Sequence, residues 1–244
     1  MVEPAGRARV RMVWLGHAGG SAGTCAGALA DWPEDWEIVI PDYPGRGWRA
    51  GEPRAASLEV MADDVAAIVR ALGAGPPSLL FGHSMGGLVA REILVRGGRE
   101  ARETFAALVV SAVCAPSWFA AGRVRVALSD EQIIDRMLAM GGTPRSFLDD
   151  PAVRQMVIES VRADLRTIDT YAYAPSAPLD LPIAAFAGAH DAVAPLGDMA
   201  AWRDETGRSF DVRSFDGGHF YHLERPREFV EALGETAEAV LGYR

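Results

Sequence analysis

The reactive potential of this chain concentrates at Gly82-His83-Ser84-Met85-Gly86-Gly87. This is a G-x-S-x-G segment, which has meaning only where it follows a strand and opens a helix. Both flanks fit: Ser78–Phe81 is an apolar run of strand length, and Met85–Arg96 reads as a helix. A serine at so tight a turn is forced into strained backbone geometry. Small residues at Gly82 and Gly86 let the turn close, and the hydroxyl projects above the sheet edge. The helix behind it supplies a positive dipole end and the free N–H of Met85, one half of an oxyanion hole.

A serine hydroxyl is a poor nucleophile without a base oriented by a carboxylate. The five histidines are His17, His83, His190, His219 and His222. In the chain order serine, acid, histidine, the base sits on a late loop after the last strand. His219, in Phe215-Asp216-Gly217-Gly218-His219, has that place behind the strand Phe210–Phe215. His222 competes with it, but its expected place is a helix start or the surface. The acid belongs after the penultimate strand, where Ile183–Ala187 is followed by Gly188-Ala189-His190-Asp191. That selects Asp191; Asp180 precedes the strand and Asp198 falls in the next helix. The second oxyanion donor is expected in the loop after the first strand, Gly16-His17-Ala18-Gly19-Gly20-Ser21, and is assigned to the N–H of Ala18.

These residues need a sheet to hold them. Near-continuous apolar runs at Val10–Leu15, Glu37–Pro41, Ser78–Phe81, Ala106–Ser111, Ile183–Ala187 and Phe210–Phe215 predict strands buried on both faces of a parallel sheet. Between them lie helical patterns at Ser57–Leu72, Met85–Arg96, Gly197–Thr206 and Pro226–Leu241. The alternation implies one α/β domain over residues 1–244, a doubly wound, mostly parallel sheet with right-handed crossovers. Residues 115–182 break the rhythm with helices at Ser129–Met140 and Pro151–Thr170 but no good strand, as expected of a helical lid. Ser129 and Gln132 form a capping-box pair at the start of the first of these.

Composition narrows the chemistry further. A net charge of −9 over 244 residues argues against a nucleic-acid binder, which needs a basic face. All 24 cationic residues are arginine. Cys25 and Cys114 have no metal spacing and read as buried small hydrophobes. Gly16–Thr24 lacks the GK[ST] of a phosphate loop, and no HExxH is present. No apolar run reaches the ~18 residues of a membrane span, and Met12–Leu15 is too short for a signal peptide's core. The expected setting is cytoplasmic, with no metal or cofactor.

Several segments together resemble the stand-alone type II thioesterases of polyketide and nonribosomal peptide assembly lines. They are His17-Ala18-Gly19-Gly20-Ser21-Ala22, Asp42-Tyr43-Pro44-Gly45-Arg46-Gly47, Gly82–Gly87, the lid stretches Leu128–Glu131, Gly141–Pro144 and Arg162–Leu165, and Gly217-Gly218-His219-Phe220. The resemblance covers nearly the whole chain. It implies an α/β-hydrolase that hydrolyses acyl thioesters from the phosphopantetheine arm of an acyl- or peptidyl-carrier protein, acting as an editing enzyme and as a monomer. Two places depart from the family pattern. Ala112–Ser117 lacks the basic residues and histidine usual there, and Arg91 stands where an aromatic is common. A general carboxylesterase and a catalytically idle scaffold remain the alternative readings.

The insertion carries Trp118, Phe119, Met137, Leu138 and Met140, expected either to line an acyl pocket or to form the insertion's own packing face. Carrier proteins are acidic, so a chain at −9 must dock through short-range contacts, for which Arg123 and Arg125 are the candidates.

Overall fold

The computed structural model describes residues 7–25, 32–119 and 128–242. Within them one six-stranded sheet is built from β1 (Val10–Leu15), β2 (Trp36–Val39), β3 (Ser78–His83), β4 (Phe105–Ser111), β5 (Ile183–Gly188) and β6 (Phe210–Phe215). The order is β2-β1-β3-β4-β5-β6, with every neighbouring pair parallel. The helices are α1 (Ala22–Cys25), α2 (Leu58–Ala71), α3 (Met85–Arg96), α4 (Gly98–Thr104), α5 (Asp130–Met140), α6 (Pro151–Thr170), α7 (Leu196–Met199), α8 (Tyr221–Glu224) and α9 (Pro226–Leu241). The chain runs from β1 outward to β2 and then returns to the other side of β1 as β3. Between β1 and β3 lies the topological switch point, outside whose carboxyl ends a doubly wound sheet binds ligands.

The strands are apolar throughout because both faces are covered. Val13, Leu15, Leu80, Leu108, Val110 and Ala185 point into a core shared with α2 and α3. Met12, Trp14, Leu79, Phe81, Val109 and Phe186 point the other way, onto Phe229 and Leu233 of α9. Burying each such Phe or Leu side chain stabilises the fold by about 1.5–3 kcal/mol. Trp14, Phe81 and Phe229 meet edge to face, with centroids 4.7–5.7 Å apart.

Element boundaries differ from the sequence expectation where pairing or capping decides them. β3 continues through Gly82 and His83 because these still pair with Val110 and Ser111. β2 is Trp36–Val39, shifted toward the amino end of the expected Glu37–Pro41. The expected helix Gly197–Thr206 is one α turn, α7, followed by a 3₁₀ stretch at Ala200–Glu205. α5 starts as its capping box dictates: Ser129 Oγ accepts from Gln132 N at 3.3 Å, and Gln132 Oε1 accepts from Ser129 N at 2.9 Å.

Between β4 and β5, α5 and α6 pack on each other through their own apolar cluster of Ile133, Ile134, Met137, Leu148, Ile158 and Val161. Arg123 and Arg125 lie outside the described residues. Among the described residues no helix is long and apolar enough to cross a membrane.

Candidate active site

Ser84 joins β3 to α3 with φ 55° and ψ −124°, a conformation that side-chain-bearing residues rarely adopt. Its N–H donates to the Ser111 carbonyl at 2.7 Å, and its carbonyl accepts from Gly87 N at 2.9 Å. The turn requires its glycines. A Cβ on Gly82 would lie 2.4 Å from the Gly86 carbonyl oxygen, and one on Gly86 would lie 2.2 Å from the Leu15 carbonyl oxygen. Those approaches draw the start of α3 against the end of β1, beside the loop that carries Ala18.

On the next strand ends, His219 Nδ1 lies 2.8 Å from Asp191 Oδ2, with both side chains buried. The other oxygen, Asp191 Oδ1, accepts from Val193 N at 2.8 Å and Ala194 N at 3.2 Å. Burial pushes the Asp191 carboxyl up, but the hydrogen bond and charge of His219 and the two backbone donors outweigh it, leaving it below the usual carboxylate value. An ionised carboxylate can only accept, so His219 Nδ1 is the donor, and the lone pair of the neutral ring belongs to Nε2. The loop is braced by Glu224, whose Oε1 accepts from Gly218 N at 3.1 Å. The sequence assigned Ser84, Asp191 and His219 to three separate strand ends. The His83 ring, next to Ser84 in the chain, lies 5.2 Å from the His219 ring, so the turn at Ser84 and the His219–Asp191 pair lie at the same, carboxyl, end of the sheet.

Around His219 the fold assembles a group of rings that sequence reasoning did not anticipate. Of the two places expected for His222, a helix start or the surface, it takes the first: it is the second residue of α8, and that single turn folds it inward, where it is buried. Its ring lies 4.5 Å from His83, 5.6 Å from Trp14 and 5.6 Å from Phe229. His83 Nδ1 meets Ser111 Oγ at 2.9 Å, which in turn meets Tyr221 Oη at 2.6 Å. His83 Nε2 and His222 Nδ1 are buried with no hydrogen-bond partner. Desolvation first, then the neighbouring histidines, holds His83 well below the ordinary imidazole value and lowers His222 to about 3. The half-buried His17 is lowered to about 4 by desolvation, then by the charges of His219 and Arg46.

Arg91 is accommodated by an ion-pair cluster in place of aromatic packing. Its Nε donates to Glu205 at 2.7 Å, its Nη1 to Glu92 at 2.9 Å and its Nη2 to Ser176 at 3.2 Å, with the guanidinium 4.8 Å from the Tyr173 ring. Trp118 and Phe119 pack half-buried against the sheet core, with Phe119 6.2 Å from the Tyr171 ring. Met137 is buried in the insertion's own cluster, whereas Met140 is half-buried near the Gly218 loop. Met137→Ala should therefore lower stability by about 2–5 kcal/mol in urea unfolding. Met140→Ala, at a half-buried position, should leave stability within about 1 kcal/mol. Equal stability losses in both variants would assign Met140 to packing as well.

A doubly wound parallel sheet, a strained serine opening the helix after its third strand and an aspartate-held histidine on the last two strand ends define the α/β-hydrolase fold, and within it the serine hydrolases. The thioesterase domain family matches residues 10–237, and the chain belongs to it. It is a thioester hydrolase. It is 35% identical over 233 residues to Thioesterase PikA5 of Streptomyces venezuelae, covering 96% of this chain and 83% of that protein. The solved structure of the thioesterase RedJ, from the prodiginine pathway of Streptomyces coelicolor, superposes with a TM-score of 0.83 at 30% identity, covering 96% of this chain and 90% of the other. BorB, the type II thioesterase of the borrelidin cluster, gives 0.80 at 32% identity, covering 96% and 94%.

Proposed function

We propose that this enzyme removes acyl groups held as thioesters on the phosphopantetheine arm of a carrier protein, clearing stalled or misprimed carriers in polyketide or nonribosomal peptide synthesis. The reading rests on near-full-length similarity to a type II thioesterase of such a cluster, together with an ordered serine-hydrolase site. Ser84 Oγ attacks the thioester carbonyl while His219 Nε2 takes its proton; Asp191 holds the imidazole and stabilises the imidazolium that forms. The oxyanion is received by the N–H groups of Met85 and Ala18, which donate to no protein acceptor among the described residues. Collapse of the tetrahedral intermediate expels the pantetheine thiolate, protonated by His219. Water, activated by the same base, then releases the acid and regenerates Ser84.

In this reading α5 and α6 form a lid. Trp118, Phe119 and Met140 line the acyl path, and Met137 holds the lid together. The test is a time course on carrier proteins loaded with acetyl, propionyl, longer acyl or aminoacyl groups, followed by intact mass, with Ser84→Ala as control. At least one load should be lost far faster with the wild-type enzyme. If no load is, while small oxygen esters are hydrolysed, the enzyme is a carboxylesterase and the editing role fails.

A further inference from the structure

Residues 17–20 form a tight turn in which Gly20 N donates to the His17 carbonyl at 3.0 Å and Gly19 has φ +79°. That φ at the third position is the signature of a type II turn. The His17 carbonyl and the Ala18 N–H share one planar trans peptide and point in opposite directions. Whatever fixes this turn therefore fixes where the Ala18 N–H is aimed.

Two outside hydrogen bonds hold the turn, and they come from two charged side chains in distant parts of the chain. Asp164 of α6 accepts from Gly19 N through Oδ2 at 2.6 Å. The same carboxylate binds Arg46 in a two-point fork, Oδ2 to Nη1 and Oδ1 to Nη2, each at 2.5 Å. Arg46 Nη1 also donates to the Gly20 carbonyl at 3.3 Å. Both side chains are buried, 5% and 1% exposed. Arg46 lies over the Tyr43 ring at 5.1 Å, and Tyr43 Oη donates to the Gly16 carbonyl at 3.3 Å, just upstream of the turn. The turn and α6 are also in close steric register: a Cβ on Gly19 would lie 2.5 Å from Val161 Cγ2, one helical turn before Asp164.

We infer that Arg46 and Asp164 are positioning residues that aim the Ala18 N–H by clamping its turn to α6. The inference rests on the reading of Ala18 as an oxyanion donor. Its consequence is that the oxyanion hole is complete only while α6 is seated on the body of the enzyme. A buried ion pair that merely held α6 in place would affect stability. One that aims a donor must affect the transition state more than the ground state.

Arg46→Met/Asp164→Leu separates the two roles, because it removes both charges together and leaves neither buried alone. It also removes the acceptor for Gly19 N–H. The double variant should fold with a Tm near that of the wild type. With an acyl N-acetylcysteamine thioester its kcat should fall about 10²-fold while KM changes by less than about threefold. Affinity for an alkyl trifluoromethyl ketone, which adds Ser84 to give a hemiketal oxyanion, should weaken by the same factor. Asp164→Asn keeps an oxygen that can accept from Gly19 N–H and should recover part of both losses. Wild-type kcat per folded molecule in the double variant overturns the inference, as does a lower kcat with unchanged ketone affinity. If the double variant does not fold, Asp164→Asn decides alone, with parallel partial losses expected and wild-type values overturning the idea. Ser84→Ala on the same thioester tests the site assignment separately: if that variant turns over like the wild type, the reading of the site fails whatever the clamp does.

Discussion

Ser84→Ala should fold as the wild type does and lose about 10⁴–10⁶-fold in kcat on any thioester the enzyme accepts. The loss is large because the serine, the base and the carboxylate act as a unit. Removing the nucleophile leaves only the oxyanion hole and substrate binding. Asp191→Asn should cost about 10⁴-fold, since an amide at that position no longer enforces an Nδ1 donor on His219. Neither change should alter substrate binding measured with a non-hydrolysable carrier conjugate. A Ser84→Ala enzyme within tenfold of wild-type turnover would remove Ser84 from the chemistry and send the search to another nucleophile.

Acidification should destabilise the protein steeply and well above the pH at which its carboxylates titrate. His83 and His222 are 1% and 3% exposed and stay neutral in the fold, whereas in the unfolded chain their imidazoles titrate near pH 6.5. Below pH 6.5 the unfolded state takes up protons that the folded state refuses. Each pH unit then costs about 1.4 kcal/mol for His222. For His222 the slope persists until the pH reaches about 3, where the folded protein binds the proton too. Between pH 6.5 and 4.5 His222 alone removes about 2–3 kcal/mol, and His83, held neutral by the same burial, acts in the same direction. Urea unfolding at half-unit pH intervals measures the slope. His222→Phe, placed among Trp14 and Phe229, should flatten it by about 1.4 kcal/mol per pH unit. A wild-type slope no steeper than that of the variant would show that His222 does not stay neutral.

The sheet was readable from sequence because strands buried on both faces leave continuous apolar runs, as at Leu79–Phe81 and Val109–Val110. Asp191 and His219 were readable because the winding fixes the order in which strand-end loops arrive. The burial of His222 at its helix start was not legible, because that helix is a single turn, too short to carry a periodicity that says which side faces in. The Arg46–Asp164 clamp joins residues 118 positions apart, and no local spacing can pair them. The segments that contain them entered the sequence reading only as parts of a family resemblance, with no role for either residue. Ser84's strain was foreseen from the elbow motif, but Ala112, the other non-glycine residue with positive φ among those described, carried no comparable signal.

Cys25 is buried next to the turn region, and its thiol is pushed up to about 12 by desolvation. At neutral pH only about one molecule in 10⁵ then carries a thiolate there, and the thiolate is the form that attacks thioesters and disulfides. Cys114 is buried as well, with its sulfur 3.6 Å from the Val193 carbonyl. An enzyme that hydrolyses acyl thioesters, and so releases free thiols, is exposed to two side reactions: trans-thioesterification onto its own sulfur, and mixed-disulfide formation with its product. Sequestering both thiols in the core closes these routes; in the proposed mechanism the acyl group then passes only through an oxygen ester on Ser84, which water can break.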